Sequence, residues 1–90
     1  ADAKALRLVD SAIFRKIDVE ETCLLDTATK AFFSVNPTGL TILEELSRGR
    51  TRAQILSTVC EQFDVETAHC RDDVDTFLDE LETSGLIRTD

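Results

Sequence analysis

The dipeptide Asn36-Pro37 divides this chain into two parts of different periodicity. Proline fixes φ and has no backbone N–H, so it suits the first position of a helix. Asparagine just before it is a good N-cap. Ahead of this point apolar residues alternate or form short β-type runs; after it they recur at helical spacing. Val35 before the cap and Leu40 after it are placed to close a hydrophobic staple.

On the upstream side, Ile13-Phe14-Arg15-Lys16-Ile17 alternates until Asp18 and Glu20-Glu21 interrupt it. Thr22-Cys23-Leu24-Leu25 is a short apolar run ending at Asp26, and Thr27-Ala28-Thr29-Lys30 is a turn-sized gap. Ala31-Phe32-Phe33-Ser34-Val35 follows, rich in aromatic and β-branched types. Three short strands are predicted. Residues 1–12 show no clean period, although Leu6 and Leu8 alternate, and they are expected to be flexible.

On the downstream side three helices are predicted. Leu40, Ile42, Leu43 and Leu46 form the buried stripe of the first, and Gly49 ends it. Thr51-Arg52-Ala53-Gln54 is a capping box for the second, with Ile55, Leu56, Val59 and Phe63 inward. The third begins near Thr67 and buries Cys70, Val74, Phe77 and Leu81. Ser84-Gly85-Leu86 closes it, with Leu81 and Leu86 spaced for a Schellman contact, and Ile87-Arg88 runs extended. The tight link Arg48-Gly49-Arg50 makes the first two helices a helix-turn-helix. The expected fold is α+β: a winged helix-turn-helix-like domain of three short antiparallel strands followed by three helices. Ninety residues leave room for a single domain, 1–90.

Charge limits what such a domain can bind. Residues 1–60 hold eight acids and eight bases, whereas residues 61–90 hold ten acids and two bases, so the net charge of −8 belongs to the last third. That field repels DNA and anionic lipid and favours a basic or neutral partner. Arg48, Arg50 and Arg52 at the turn could grip phosphates, but the helices a DNA duplex would meet carry almost no other base. A small winged-helix DNA-binding regulator is therefore the weaker alternative. A purely structural assembly domain is a third.

Catalytic residues are not evident. The lone His69 reads as a surface histidine, and Asp72-Asp73 and Glu44-Glu45 diverge on their helices instead of converging. The three cysteines, Cys23, Cys60 and Cys70, include no CxxC pair; without a secretion signal they are expected to be reduced, in a cytoplasmic protein. No metal, organic cofactor or enzymatic activity is expected, and no stretch is apolar enough to span a membrane.

A set of motifs in fixed order resembles one family. Leu25-Asp26, Val35-Asn36-Pro37-Thr38-Gly39, Ile42-Leu43-Glu44-Glu45-Leu46, Gly49-Arg50-Thr51, Phe63-Asp64-Val65, Asp73-Val74, Phe77-Leu78, Leu81 and Gly85-Leu86-Ile87 are similar to the PqqD family, across roughly residues 13–88. The turn Ala28-Thr29-Lys30 departs from the family's frequent glycine there. The resemblance implies a precursor-peptide recognition element of ribosomally made, post-translationally modified peptides. Such a domain is a non-catalytic adaptor that binds a leader segment as an extra strand and presents the peptide to a modifying enzyme. That enzyme is a radical S-adenosylmethionine protein in pyrroloquinoline quinone biosynthesis, and a protease or cyclase elsewhere.

The resemblance also implies a site. The leader would lie along the third strand, at Lys30, Ala31, Phe32, Phe33, Ser34 and Val35, where only Lys30 protects the edge. The opposite wall would be Arg71, Asp75, Leu78 and Glu82 on the third helix, with Val74 beside them. In this phase Phe77 belongs to the core and Leu78 supplies the apolar pocket. Read from the residues alone, the same stripe is a widened core with solvated charges.

Overall fold

The computed structural model describes residues 4–63 and 67–89. In chain order the elements are β1 (Leu6–Leu8), β2 (Ala12–Lys16), β3 (Thr22–Asp26), β4 (Ala31–Val35), α1 (Pro37–Arg48), α2 (Arg52–Phe63), α3 (Thr67–Thr83) and β5 (Ile87–Thr89). β2, β3 and β4 form an antiparallel sheet in that order, and the helices follow as expected.

The boundaries rest on local chemistry. Asn36 caps α1 by accepting the Gly39 N–H at 2.8 Å, with Pro37 in the first turn. Thr51 and Gln54 bond reciprocally at 3.0 and 3.1 Å, the predicted capping box. Gly85, at φ 74°, turns the chain after α3, and the Leu86 N–H reaches back to the Leu81 carbonyl at 2.9 Å. Gly49 serves two needs at once. Its φ of 75° favours glycine, and a Cβ there would meet the Arg7 guanidinium at 2.6 Å.

The sheet register separates two faces. Phe14, Leu24 and Phe33 make one cross-strand row toward the helices, while Ile13, Leu25 and Phe32 make another on the opposite face. Phe32 is 65% exposed. The inner row meets a core of Ile42, Leu43 and Leu46 from α1, Ile55 and Val59 from α2, and Cys70, Val74, Leu78 and Leu81 from α3. Each such aliphatic side chain contributes about 1.5–3 kcal/mol by leaving water.

Three findings differ from the sequence reading. Leu6–Leu8 is ordered as β1, paired antiparallel with β5 and bridged at Leu6 to Arg50. Its partners lie at the far end of the chain and in the helical turn, so no local period announces it. Cys60 and Cys70 are joined in a disulfide, not reduced. They stand near the end of α2 and the start of α3, and this hairpin brings their Cα atoms to 5.8 Å, inside the bonding range. Leu78 is completely buried. The side chain of Phe63 and the segment Asp64–Glu66, which carry the Phe63-Asp64-Val65 motif, lie outside the described residues.

Candidate functional site: a cleft between the edge strand and the last helix

β4 is an edge strand: among the described residues its only strand partner is β3. Half of its backbone groups therefore point away from the sheet, as on any edge. The hairpin that presents it is anchored at Asp26. The Asp26 carboxylate accepts the Ala28 N–H at 3.0 Å and the Thr29 hydroxyl at 3.1 Å. The Ala28 bond is the main cause that holds its pKa below the ordinary carboxylate value; bonds from the Ser11 side chain and Thr29 add to it, against the opposing effect of burial. The sign follows directly. This anchor is fully present above about pH 4 and is lost as pH falls through the lowered value. Lys30 completes the turn at φ 67° and donates its N–H to the Asp26 carbonyl at 2.7 Å.

Beyond the open edge stands α3, and the space between them is a run of three adjoining hollows. One of about 80 Å³ is lined by Leu24, Phe33, Val35, Phe77 and Leu81, with Ser34, Glu80 and Ser84 at its rim. A wider one of about 480 Å³ lies between Phe33 and Thr76, Asp79, Glu80, Thr83 and Ser84. A third, of about 260 Å³, continues past the start of α1 over Asn36, Thr38, Gly39 and Ile42 to Asp73, Thr76, Phe77 and Glu80. The closeness of α1 to β4 at this end depends on Gly39, where a Cβ would collide with the Val35 side chain. Glu80 borders all three hollows.

Of the strand half of the expected site, Phe33, Ser34 and Val35 line this cleft, whereas Lys30, Ala31 and Phe32 line none of its hollows, and the expected helix residues do not wall it. Val74 and Leu78 are both fully buried, so neither presents a side chain at the surface. Arg71 and Asp75 lie on the opposite flank of α3, where they share a recess with Arg52, Leu56 and Leu6. Glu82 is exposed and lines none of the three hollows. Instead the cleft is walled by Asp73, Thr76, Phe77, Glu80, Leu81 and Ser84. The reason is geometric. A 3.6-residue period fixes the buried direction of a helix but leaves two flanks, and nothing in the period says which one meets β4. Phe77, an aromatic residue at the margin of the stripe, was the signal available; it is half-buried, with its ring against the core.

The turn arginines are largely committed elsewhere. Arg50 Nε lies 3.2 Å from the buried Glu45 carboxylate, and Arg52 bonds Asp75 at 2.8 Å and Asp79 at 3.4 Å. With the charges of Arg50 and Arg52 answered within the protein, and Arg48 left as the exposed base of the turn, the DNA-binding reading finds no support. His69 is exposed. Among the described residues no cluster of His, Cys, Asp or Glu could hold a metal ion, and no helix is long and apolar enough to cross a membrane.

Comparison with known proteins places this architecture. Two solved structures share the fold. "TbiB1 in Complex with the TbiA(beta) Leader Peptide" is 24% identical, over 91% of this chain and 94% of that one, with a TM-score of 0.78. "Lasso peptide synthetase B1 complexed with the leader peptide" is 20% identical, over 92% of this chain and 96% of that one, at 0.75. No curated protein matches the sequence. The family described as coenzyme PQQ synthesis protein D (PqqD) matches residues 21–87, most of the chain, and the protein belongs to that family.

Proposed function

We propose that this protein is a non-catalytic adaptor that takes up the leader segment of a ribosomally made precursor peptide and presents it to a modifying enzyme. The observation that carries the reading is the open edge of β4 facing α3 across a continuous cleft. An extended peptide adds to such an edge as a strand. Its alternate side chains then point into the cleft or lie beside Phe32 on the outer face.

Magnitudes show why both features are needed. Backbone hydrogen bonds gain a net of about 0.5–1.5 kcal/mol each. A five-residue strand offers only a handful of them, and association costs at least ~4 kcal/mol. Micromolar binding requires about −8 kcal/mol. The balance must come from apolar side chains buried in the cleft, at about 1.5–3 kcal/mol each. The hollow bounded by Leu24, Phe33, Val35, Phe77 and Leu81 suits one such side chain.

Two of the solved structures that share this fold are complexes with leader peptides, which supports the reading. The partner enzyme would be a radical S-adenosylmethionine protein, a protease or a cyclase, and we place the work in the cytoplasm, where precursor peptides are translated. There the Cys60–Cys70 bond would face a reducing pool. The test is an amide-shift titration with the leader of a precursor encoded beside this chain. Shifts are expected at residues 31–36 and along 73–84. Shifts confined to Arg48, Gly49, Arg50 and Arg52 would sink the proposal.

A further inference from the structure

The cleft has a charge as well as a shape. Its three hollows are lined by Asp73, Asp79 and Glu80, and by no lysine or arginine. Asp79 is drawn toward Arg52 on the far flank. Asp73 and Glu80 have no cationic partner among the described residues. Glu80 borders every hollow, beside the apolar pocket made by Phe33, Phe77 and Leu81.

Resting on the docking reading above, we infer that the cleft selects a leader segment in which an apolar residue is flanked, two positions away, by lysine or arginine. Residues two apart on a strand share a face. When the apolar side chain fills the pocket, its same-face neighbours are brought to the α3 wall, where Glu80 and Asp73 stand. A carboxylate arriving there meets like charge; an ammonium or guanidinium meets an unanswered anion. Lys30, the one base next to β4, belongs to the hairpin turn and lines none of the hollows. The selectivity is therefore carried by α3, while the backbone of β4 supplies sequence-independent pairing.

The experiment uses three synthetic peptides of about ten residues, a length that covers an edge strand. Each has a central leucine and Lys, Gln or Glu at the two same-face neighbours. Affinities are measured by fluorescence anisotropy at low and high salt, with amide shifts recorded in parallel. The Lys peptide is expected to bind about tenfold tighter than the Glu peptide at low salt, since each exposed pair contributes modestly. The gap should narrow at high salt. Glu80→Lys should invert the preference. Glu82→Lys makes the same charge change on an exposed residue outside the cleft, and should leave the preference nearly intact.

If Glu82→Lys erodes the preference as much as Glu80→Lys, the effect belongs to the overall charge and the inference is overturned. Equal binding of all three peptides, with shifts at residues 31–36, would also overturn it while leaving the docking reading standing. Absence of any shift at β4 with every peptide would bring down both.

Discussion

The two flanks of α3 are built differently. The flank toward α2 is closed: a disulfide joins Cys60 to Cys70, Arg52 bridges to Asp75 and Asp79, and Ile55 and Val59 pack inward beside Val74. The flank toward β4 is open: Asp73 and Glu80 have no cationic partner among the described residues, the aromatic Phe77 is only half covered, and hollows run along it. Both flanks come from one acidic helix. The difference teaches that acidity alone marks neither structure nor site. What matters is whether the neighbouring element answers the charge, and α2 does so where β4 does not.

The largest effects should come from exchanging the roles of two adjacent residues. Leu78 is in the core, so Leu78→Ala should lower stability by about 2–5 kcal/mol and Leu78→Glu should unfold the domain. Phe77→Ala removes a half-buried ring and should cost less than the about 3–5 kcal/mol of a fully buried phenylalanine, yet weaken peptide binding strongly. Chemical denaturation and anisotropy separate the two. Should Phe77→Ala lower stability more than Leu78→Ala and leave affinity unchanged, the open flank has been assigned to the wrong side.

That pair also shows how far the sequence carried. Strands, caps and helix order were legible because their signals are local: Asn36-Pro37, the Thr51–Gln54 box and the Leu81–Leu86 closure each lie within a few residues. β4 was legible as the exposed edge through the family resemblance and its own β-type composition. The phase of α3 relative to β4 was not, because Phe77 and Leu78 both border the same apolar stripe and only packing decides between them. β1 and the Cys60–Cys70 bond escaped for a related reason. Each depends on a partner that the fold, not the local sequence, brings near.

The closed flank should tolerate reduction at a measurable cost. The bond closes a loop with a sequence separation of 10, which in the chain-entropy picture contributes about 3 kcal/mol. Denaturation with and without reductant should differ by about that amount, and Cys60→Ser should reproduce the reduced protein. Peptide affinity should not change, because the bond lies on the side of α3 away from β4. A loss of binding on reduction, at a temperature where the fold survives, would show that the two flanks are coupled.

A smaller gain is expected at the turn that delivers β4 to the cleft. Lys30 holds φ 67°, a conformation that strains a side-chain-bearing residue by roughly 1 kcal/mol and suits glycine. Lys30→Gly should raise stability by up to about that much. Affinity for a strand-forming peptide should be kept, since the contribution assigned to residue 30 is the turn and not the cleft.

The smallest stability effects should fall on the charges that distinguish the flanks. Arg52 is 41% exposed at its side chain and Asp75 43%, so water screens their attraction. Arg52→Ala should therefore cost less than about 1 kcal/mol. Glu80→Gln removes a charge that no cation answers, and should move stability by no more than about 0.5 kcal/mol in either direction. Binding should reverse the ranking. Arg52→Ala removes no residue that lines the cleft and, by releasing Asp79 at the wider hollow, should not lower the affinity of a lysine-flanked peptide, whereas Glu80→Gln should lower it severalfold at low salt. The comparison turns on that crossing of two small numbers: an ion pair that supports the fold without recognition, and an exposed carboxylate that recognises without supporting the fold. If Arg52→Ala lowered affinity as much as Glu80→Gln, the ion pair would be needed for recognition as well as for the fold, and the two flanks of α3 would act as one surface instead of a closed flank and an open one.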